Sequence, residues 1–352
     1  MPDNSLPVLI LGQGLAGSCL ALEFLRHGIP FIVMDVPWMS NSSRVAAGIL
    51  NPLIFRYYTL SWRAEQYLDF SKQFYRELGE TLKKPFLHEQ PMLRIFGENE
   101  AKLWSSKAQL EKFSPYLNNE FLFSFDGIDL RNGAGLVGVT AWIDIALFVG
   151  EVRQLLKERE LLREQQWSYD QLRLGVDVIE YEDVAYKSVV FCEGYRAASN
   201  PYLKDIPFRP VKGDVITLRV PGFKSDYILN KNFFLVPLGD DLFRLGSTYS
   251  WNFEDEKPEP QAREKLLNDL GTILKTKSEV ISHAAGIRPA IADRRPVAGR
   301  LPGIDKAFVF NGLGSRGGLL APPLAHYLAM MISGQAKPDA EVDPVRFNGN
   351  TI

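Results

Sequence analysis

The sequence predicts an α/β protein with a second, α+β domain built on a mostly antiparallel sheet, and three observations predict it. The chain opens with VLILGQGLAGSCLA, an apolar strand run that passes through glycines into a helical pattern. From about Val211 it changes to antiparallel runs, VITLRV, FFLVPL and LFRLGSTY, the last two joined across a GDD turn. It then returns to a short apolar run and a second glycine-rich stretch, AFVFNGLGSRGGLLAPP. Such an order implies that the first domain is assembled from separated segments.

Taken in order, Val8 to Leu11 reads as a buried parallel strand, Leu15 to His27 as a helix stopped by Gly28, and Phe31 to Asp35 as the next strand. Helical periodicity covers Ser61 to Leu82, Glu98 to Leu110 and Ile143 to Leu162. The alternating charges of EVRQLLKERELLRE in the last of these read as a solvated face. SVVFC, Ser188 to Cys192, has the β-branched character of a central strand. Pro258 and Pro260 open an amphipathic helix through about Leu274. AFVFN, Ala307 to Asn311, is a strand before a final helix ending near Gly334.

With 40 Lys and Arg against 42 Asp and Glu, the net charge is −2, which gives no global field for nucleic acid or anionic lipid. Cys19 and Cys192 lack any CxxC or ligand spacing and read as buried thiols of a reducing compartment. The apolar N-terminal runs lack a signal peptide's flanks, with Asp3 in place of a basic segment and glycines inside the run. No segment has the roughly 18 uninterrupted apolar residues of a spanning helix, so the expectation is a soluble, cytoplasmic protein. His27, His88, His283 and His326 are scattered, without HExxH or paired metal ligands, and no G-x-S-x-G elbow is present. No metal is expected.

GQGLAG sets Gly12, Gly14 and Gly17 in a G-x-G-x-x-G pattern between strand and helix, and Asp35 ends the following strand. Gly12 permits the tight turn, Gly14 lets a diphosphate approach the backbone across Leu15 and Ala16, and Gly17 allows close helix packing. Asp35 suits a ribose hydroxyl and disfavours a 2′-phosphate. This fingerprint fits NAD and FAD equally.

SSRVAAGILNP, Ser42 to Pro52, is where the sequence resembles the D-amino-acid oxidase superfamily of FAD enzymes, which includes glycine and sarcosine oxidases. Ser43, Arg44, Ala47 and Gly48 match the family segment that lies along the flavin. VVFCEG, ending at Gly194, matches its strand and glycine turn over the cofactor. PFRPVKGDVITL, FFLVPLGDDLFRLGSTY and AGIRPAIADRRPVAG match the crossing into the substrate sheet, the hairpin over the substrate and the return. Gly312, Gly314, Ser315, Arg316 and Gly317 of NGLGSRGG match the loop that faces the flavin ring. A helix start and free N–H groups there would stabilise the reduced ring's negative charge. The resemblance implies a Rossmann-like FAD-binding domain over 1–80, 136–210 and 285–352, and a substrate-binding domain over 81–135 and 211–284.

On the substrate side, the resemblance sets Arg288 of GIRP where glycine-oxidase-like members hold the substrate carboxylate; a guanidinium fork suits that anion. Arg56, Arg294 and Arg295 are the alternatives. Phe234 stands where those members carry a tyrosine beside the substrate. No cysteine occurs near the C-terminal blocks, where covalent flavinylation takes place in sarcosine oxidases, so dissociable FAD is expected. LGSRG with LAPPLA and Asn51-Pro52 also resembles the oxidase domain of a bifunctional tRNA-uridine-modifying enzyme. The implied reaction is oxidation of a C–N bond in a small-molecule amine or amino acid bearing a carboxylate, by hydride transfer to flavin N5 and hydrolysis of the imine. That chemistry needs no side-chain acid or base. Alternatives are action on a modified tRNA uridine side chain, a NAD-linked dehydrogenase, and a non-catalytic flavin-binding subunit. Lys212 and Lys231 are candidates for activating oxygen.

Overall fold

The structure, a computed structural model, describes residues 6–36 and 42–348. Asp3 of the sequence reading lies outside them. The chain divides into two compact units, one of Met1–Arg44, Ile145–Val211 and Ile287–Ile352, the other of Val45–Asp144 and Lys212–Gly286.

The first unit begins with β1 (Val8–Leu11), α1 (Leu15–His27) and β2 (Phe31–Met34). Every residue of β1 is buried, as an apolar run without alternation requires of a strand covered on both faces. Gly28 ends α1 in the left-handed conformation, φ 63°, where a glycine has no Cβ penalty. The second segment adds α2 (Ile145–Glu158), β3 (Leu162–Arg163) and β4 (Ser188–Phe191), and the third adds β5 (Val297–Arg300), β6 (Ala307–Asn311) and α3 (Gly317–Ile332). They form one six-stranded sheet in the order β3-β2-β1-β4-β6-β5. Val8 pairs in parallel with both Phe31 and Ser188, and Val189 pairs in parallel with Ala307; only β5 runs antiparallel. Segmental assembly of this sheet follows the expectation from the two ends of the sequence. Pro322 and Pro323 fall inside α3, past its first turn, so each removes an intrahelical donor rather than using the free ones at the helix start.

In the second unit an eight-stranded sheet runs from Glu279–Arg288 through Val211–Arg219, Leu242–Gly246, Phe234–Gly239, Ile228–Asn230, Met92–Ile95 and Ala134–Val137 to Phe121–Leu122. Its hairpin turns at Asp240 and Asp241, both with positive φ, as a two-residue type I′ connection demands. Ile216, Leu218, Leu235, Phe243 and Leu245 on one face pack with Leu266 and Leu270 of the helix Pro260–Gly271. That helix ends at Gly271 with Thr272 as its C-cap, short of Leu274, and the carbonyl of Ile273 accepts the amide of Asp129.

Residues 45–80 and 136–144, set with the first domain in the sequence reading, group with the second unit. Ala141–Ile143 is a strand held antiparallel between Ile49–Leu50 and Leu87–Glu89, a pairing with no local signature. The same strand moves the start of α2 from Ile143 to Ile145. No helix among the described residues is long and apolar enough to cross a membrane.

Candidate active site

Three loops leave the carboxyl ends of neighbouring strands in the first unit: Gly12 after β1, Gly194 after β4 and Gly312 after β6. In a parallel sheet this edge is where ligands bind, because the following helices point their N-termini at it.

Gly12 has φ +100°, and a Cβ there would stand 2.5 Å from the Cys192 carbonyl oxygen. Gly17 is tighter, its Cβ position lying 2.0 Å from the Gly12 oxygen. Glycine at both places is therefore a packing requirement. Gly14 caps α1 without a side-chain hydrogen bond, and a Cβ on it would meet Ser43 Oγ at 3.3 Å. Ser43 Oγ accepts the Leu15 amide at 3.0 Å, which joins the second motif to the first. Ala16 is buried in the same turn, whereas Arg44 is exposed on the short helix Ser42–Val45.

Asp35 accepts the Gln13 amide at 3.1 Å through Oδ1 and Arg153 Nη1 at 2.7 Å through Oδ2. Arg153 Nη1 also reaches Gln13 Oε1 at 2.9 Å, and its Nε and Nη2 hold Glu164. One arginine of α2 thus fixes the acid and the variable residue of the glycine motif. The solvated face of EVRQLLKERELLRE is seen at Gln154 and from Lys157 to Glu160, which are exposed, but Arg153 is buried, since charge alternation alone does not say which cation turns inward.

Glu193 is buried beside Gly194 and accepts from Trp167 Nε1 at 2.9 Å, Tyr169 Oη at 2.5 Å and Asn200 Nδ2 at 2.7 Å. Burial pushes its carboxyl above the ordinary carboxylate range, against the three donors that pull the other way. Asn311 then ties this loop to the next, donating to the Gly194 carbonyl at 2.9 Å and accepting the Gly312 amide at 2.8 Å. Gly194 (φ +60°) and Gly314 (φ +55°) face open space, with nothing within 4 Å of a Cβ on either. Gly312 is packed instead, 2.4 Å from Ile291 Cδ1 by the same construction.

Ser315 is exposed, Arg316 caps α3, and Gly317 begins it. A Cβ on Gly317 would stand 2.8 Å from Leu15 Cδ2, so the two glycine-rich stretches meet at their helix starts. Neither α1 nor α3 has an acidic residue in its first turn or a side-chain cap. Two helix starts of partial positive charge therefore serve one region of the sheet edge.

The family model described as DAO, FAD dependent oxidoreductase, matches residues 7–331. This chain belongs to that family. As a DAO-family protein it is an FAD-dependent oxidoreductase. It is 28% identical over 376 residues to glycine oxidase of Pseudomonas aeruginosa, covering 97% of each chain. It is 24% identical over 351 residues to the tRNA 5-methylaminomethyl-2-thiouridine biosynthesis bifunctional protein of Idiomarina loihiensis, covering 94% of this chain and 56% of that protein. The chain thus spans little more than half the length of this bifunctional relative. Its fold is that of iminodiacetate oxidase from Chelativorans sp. BNC1, with TM-score 0.79, 21% identity, and 95% and 97% of the two chains covered.

FAD fits what this DAO-family chain presents in the first unit. Glycines at the sheet edge admit a diphosphate to the backbone, and the uncapped helix starts suit negative charge.

In the second unit, Gly48 (φ +68°) packs on the Ile143 carbonyl, 1.9 Å from where its Cβ would be, and Ala47 precedes it, half-buried. Phe234 stands opposite Gly246, its Cζ 2.7 Å from where a Cβ on that glycine would be, so the ring lies on bare backbone. Arg244 shares this sheet face by alternation and donates Nη1 to the Ala46 carbonyl at 3.2 Å; burial lowers its pKa. Sequence reasoning missed Arg244, for which the hairpin's alternation was the available signal. Arg288, in the first unit, is half-buried at the end of its strand, and its carbonyl accepts the Ala290 amide. Lys212 is 1% exposed and bonds Oε1 of Glu259, the N-cap of the helix Pro260–Gly271, at 2.8 Å, so a carboxylate already engages that ammonium. The histidines are also less scattered than their spacing implied. His27 and His326 come together beside Glu23, while His88 stacks on Trp142 and His283 pairs with Asp214.

Proposed function

We propose that this protein oxidises the C–N bond of a small amine or amino acid that carries a carboxylate on the carbon next to nitrogen. The observation that carries the reading is the likeness to glycine oxidase over 97% of both chains. The name of the iminodiacetate oxidase supports it, since glycine and iminodiacetate share that amine-methylene-carboxylate unit.

In this reading Gly12, Gly14, Leu15, Ala16 and Gly17 hold the FAD diphosphate and Asp35 holds a ribose hydroxyl. Ser43, Arg44, Ala47, Gly48 and Gly194 would line the cofactor, and Gly312, Gly314, Ser315, Arg316 and Gly317 would hold its ring end. FAD supplies the hydride acceptor, and the resulting imine hydrolyses in water. The protein's own work is to orient and to place charge. Arg288 forks the carboxylate and so fixes the substrate carbon, and Phe234 supplies an apolar wall without a hydroxyl. FAD is held without a covalent bond. Cys19 and Cys192 are buried, and burial raises the Cys192 thiol well above its ordinary range, so it stays protonated and unreactive. The likeness to the bifunctional tRNA protein supports a second reading, an aminomethyl group on a modified uridine as substrate.

The test is an anaerobic visible spectrum of the purified protein during titration with glycine, sarcosine, iminodiacetate, D-amino acids and carboxymethylaminomethyl-nucleosides. Bleaching of the flavin band by a carboxylate-bearing amine is the expected result, and the nucleosides alone would favour the second reading. A bound flavin that none of these reduces rejects both.

A further inference from the structure

We propose that Glu23, His27 and His326 form a binding site for a divalent transition metal, of which zinc is the representative, that clamps α1 to α3 away from their glycine loops. Glu23 and His27 lie one turn apart on α1 and so share a face. His326 reaches the same point from α3. His27 Nε2 lies 3.4 Å and His326 Nδ1 2.8 Å from one atom, Glu23 Oε2, and the ligand atoms of all three residues are within 4.8 Å of one another. Bonds of about 2.0–2.2 Å from a single ion set tetrahedral ligand atoms about 3.4 Å apart, so an ion would part the His326–Glu23 hydrogen bond and draw the three ligand atoms to that spacing by side-chain movement alone. The two imidazole rings are 5.5 Å apart and tilted, which rules out stacking as the reason for their approach.

Charge and access favour the same assignment. Glu23 is fully buried, and its other oxygen, Oε1, makes no hydrogen bond among the described residues, with Arg26 Nη1 at 3.3 Å. A buried carboxylate gains from a cation held directly on it. The guanidinium stands on Oε1, so the metal is taken through Oε2. His27 and His326 are 31% and 39% exposed, which gives an ion its entry path and leaves its fourth position to water. Two nitrogens and one carboxylate select zinc, cobalt or nickel over magnesium and calcium, which prefer all-oxygen sites.

The experiment is calorimetric titration of the tag-free holoprotein with zinc chloride, alongside thermal unfolding with and without zinc. One zinc per chain and a raised Tm are expected. His27→Asn and His326→Asn, both at partly exposed positions that tolerate the change, should each weaken binding by more than the roughly 10–100-fold cost of losing an outer partner of a metal ligand. Each should also abolish the Tm rise, and excess magnesium should not compete. Absence of zinc binding, or binding equal in wild type and both variants, overturns the site.

Discussion

Gly317 and Leu15 touch: the first residue of α3 stands against the side chain that begins α1, with 2.8 Å between a Cβ on the glycine and Leu15 Cδ2. The two glycine-rich stretches of the sequence are thereby parts of one surface.

A contrast between two glycines follows from what each would strike. Gly317→Ala meets the mobile end of a leucine, so it should cost about 1 kcal/mol, the low end of overpacking, and retain flavin. Gly17→Ala meets the Gly12 carbonyl oxygen at 2.0 Å, an immovable backbone atom, and should cost about 3 kcal/mol or more and release flavin. Bound flavin per chain and urea unfolding of the two variants measure this; equal behaviour would contradict the packing account.

Arg153→Met should destabilise the first unit by about 3 kcal/mol, because it strands Asp35, Gln13 Oε1 and Glu164 beside a buried apolar side chain. Arg153→Lys should restore only part of this, since a single ammonium cannot serve three acceptors in the directions of a fork. Denaturant midpoints decide it, and a neutral Arg153→Met would show that the network contributes nothing.

Glu193 makes a signed statement about pH. Its folded carboxyl titrates above the ordinary 4.5, so between 4.5 and the folded value the native chain holds more protons than the unfolded one. Stability from this group is full below the unfolded value and falls as pH rises through the window. Glu193→Gln should flatten that fall while its oxygen still accepts from Trp167 and Tyr169. Urea unfolding from about pH 4 to about pH 8 for both proteins tests it; parallel curves would refute the burial argument.

Arg288→Ala should raise KM for a carboxylate-bearing amine by about 10–100-fold with a smaller change in kcat, the signature of lost uniform binding. An amine lacking the carboxylate should be unaffected. A fall confined to kcat would assign Arg288 elsewhere.

The sequence made the individual elements of the first unit legible because their signals are local. β1, α1, β4 and β6 carry unbroken apolar runs or helical periodicity bounded by glycine, and their observed bounds lie within a residue of expectation. Distant pairing was not legible. Nothing near Ile49 announces Trp142 as its partner, so the grouping of residues 45–80 and 136–144 with the second unit has no local signature. Side-chain direction was equally hidden: Arg153, the Glu193 cage, and the meeting of His27 with His326 depend on which face of a helix turns inward.

The interleaved order of the sheet also bears on how the chain is made. Val8 must wait for Ser188, and Val189 for Ala307, before the centre of the sheet can pair. During synthesis the first βαβ segment therefore leaves the ribosome with an unmatched edge on β1, exposed to wrong partners until β4 has been made. Separations of this length make folding slow. The second glycine loop, translated long after the first, completes both the strand order and the surface shared with the first, so folding of the sheet and competence to take up a flavin should arrive together.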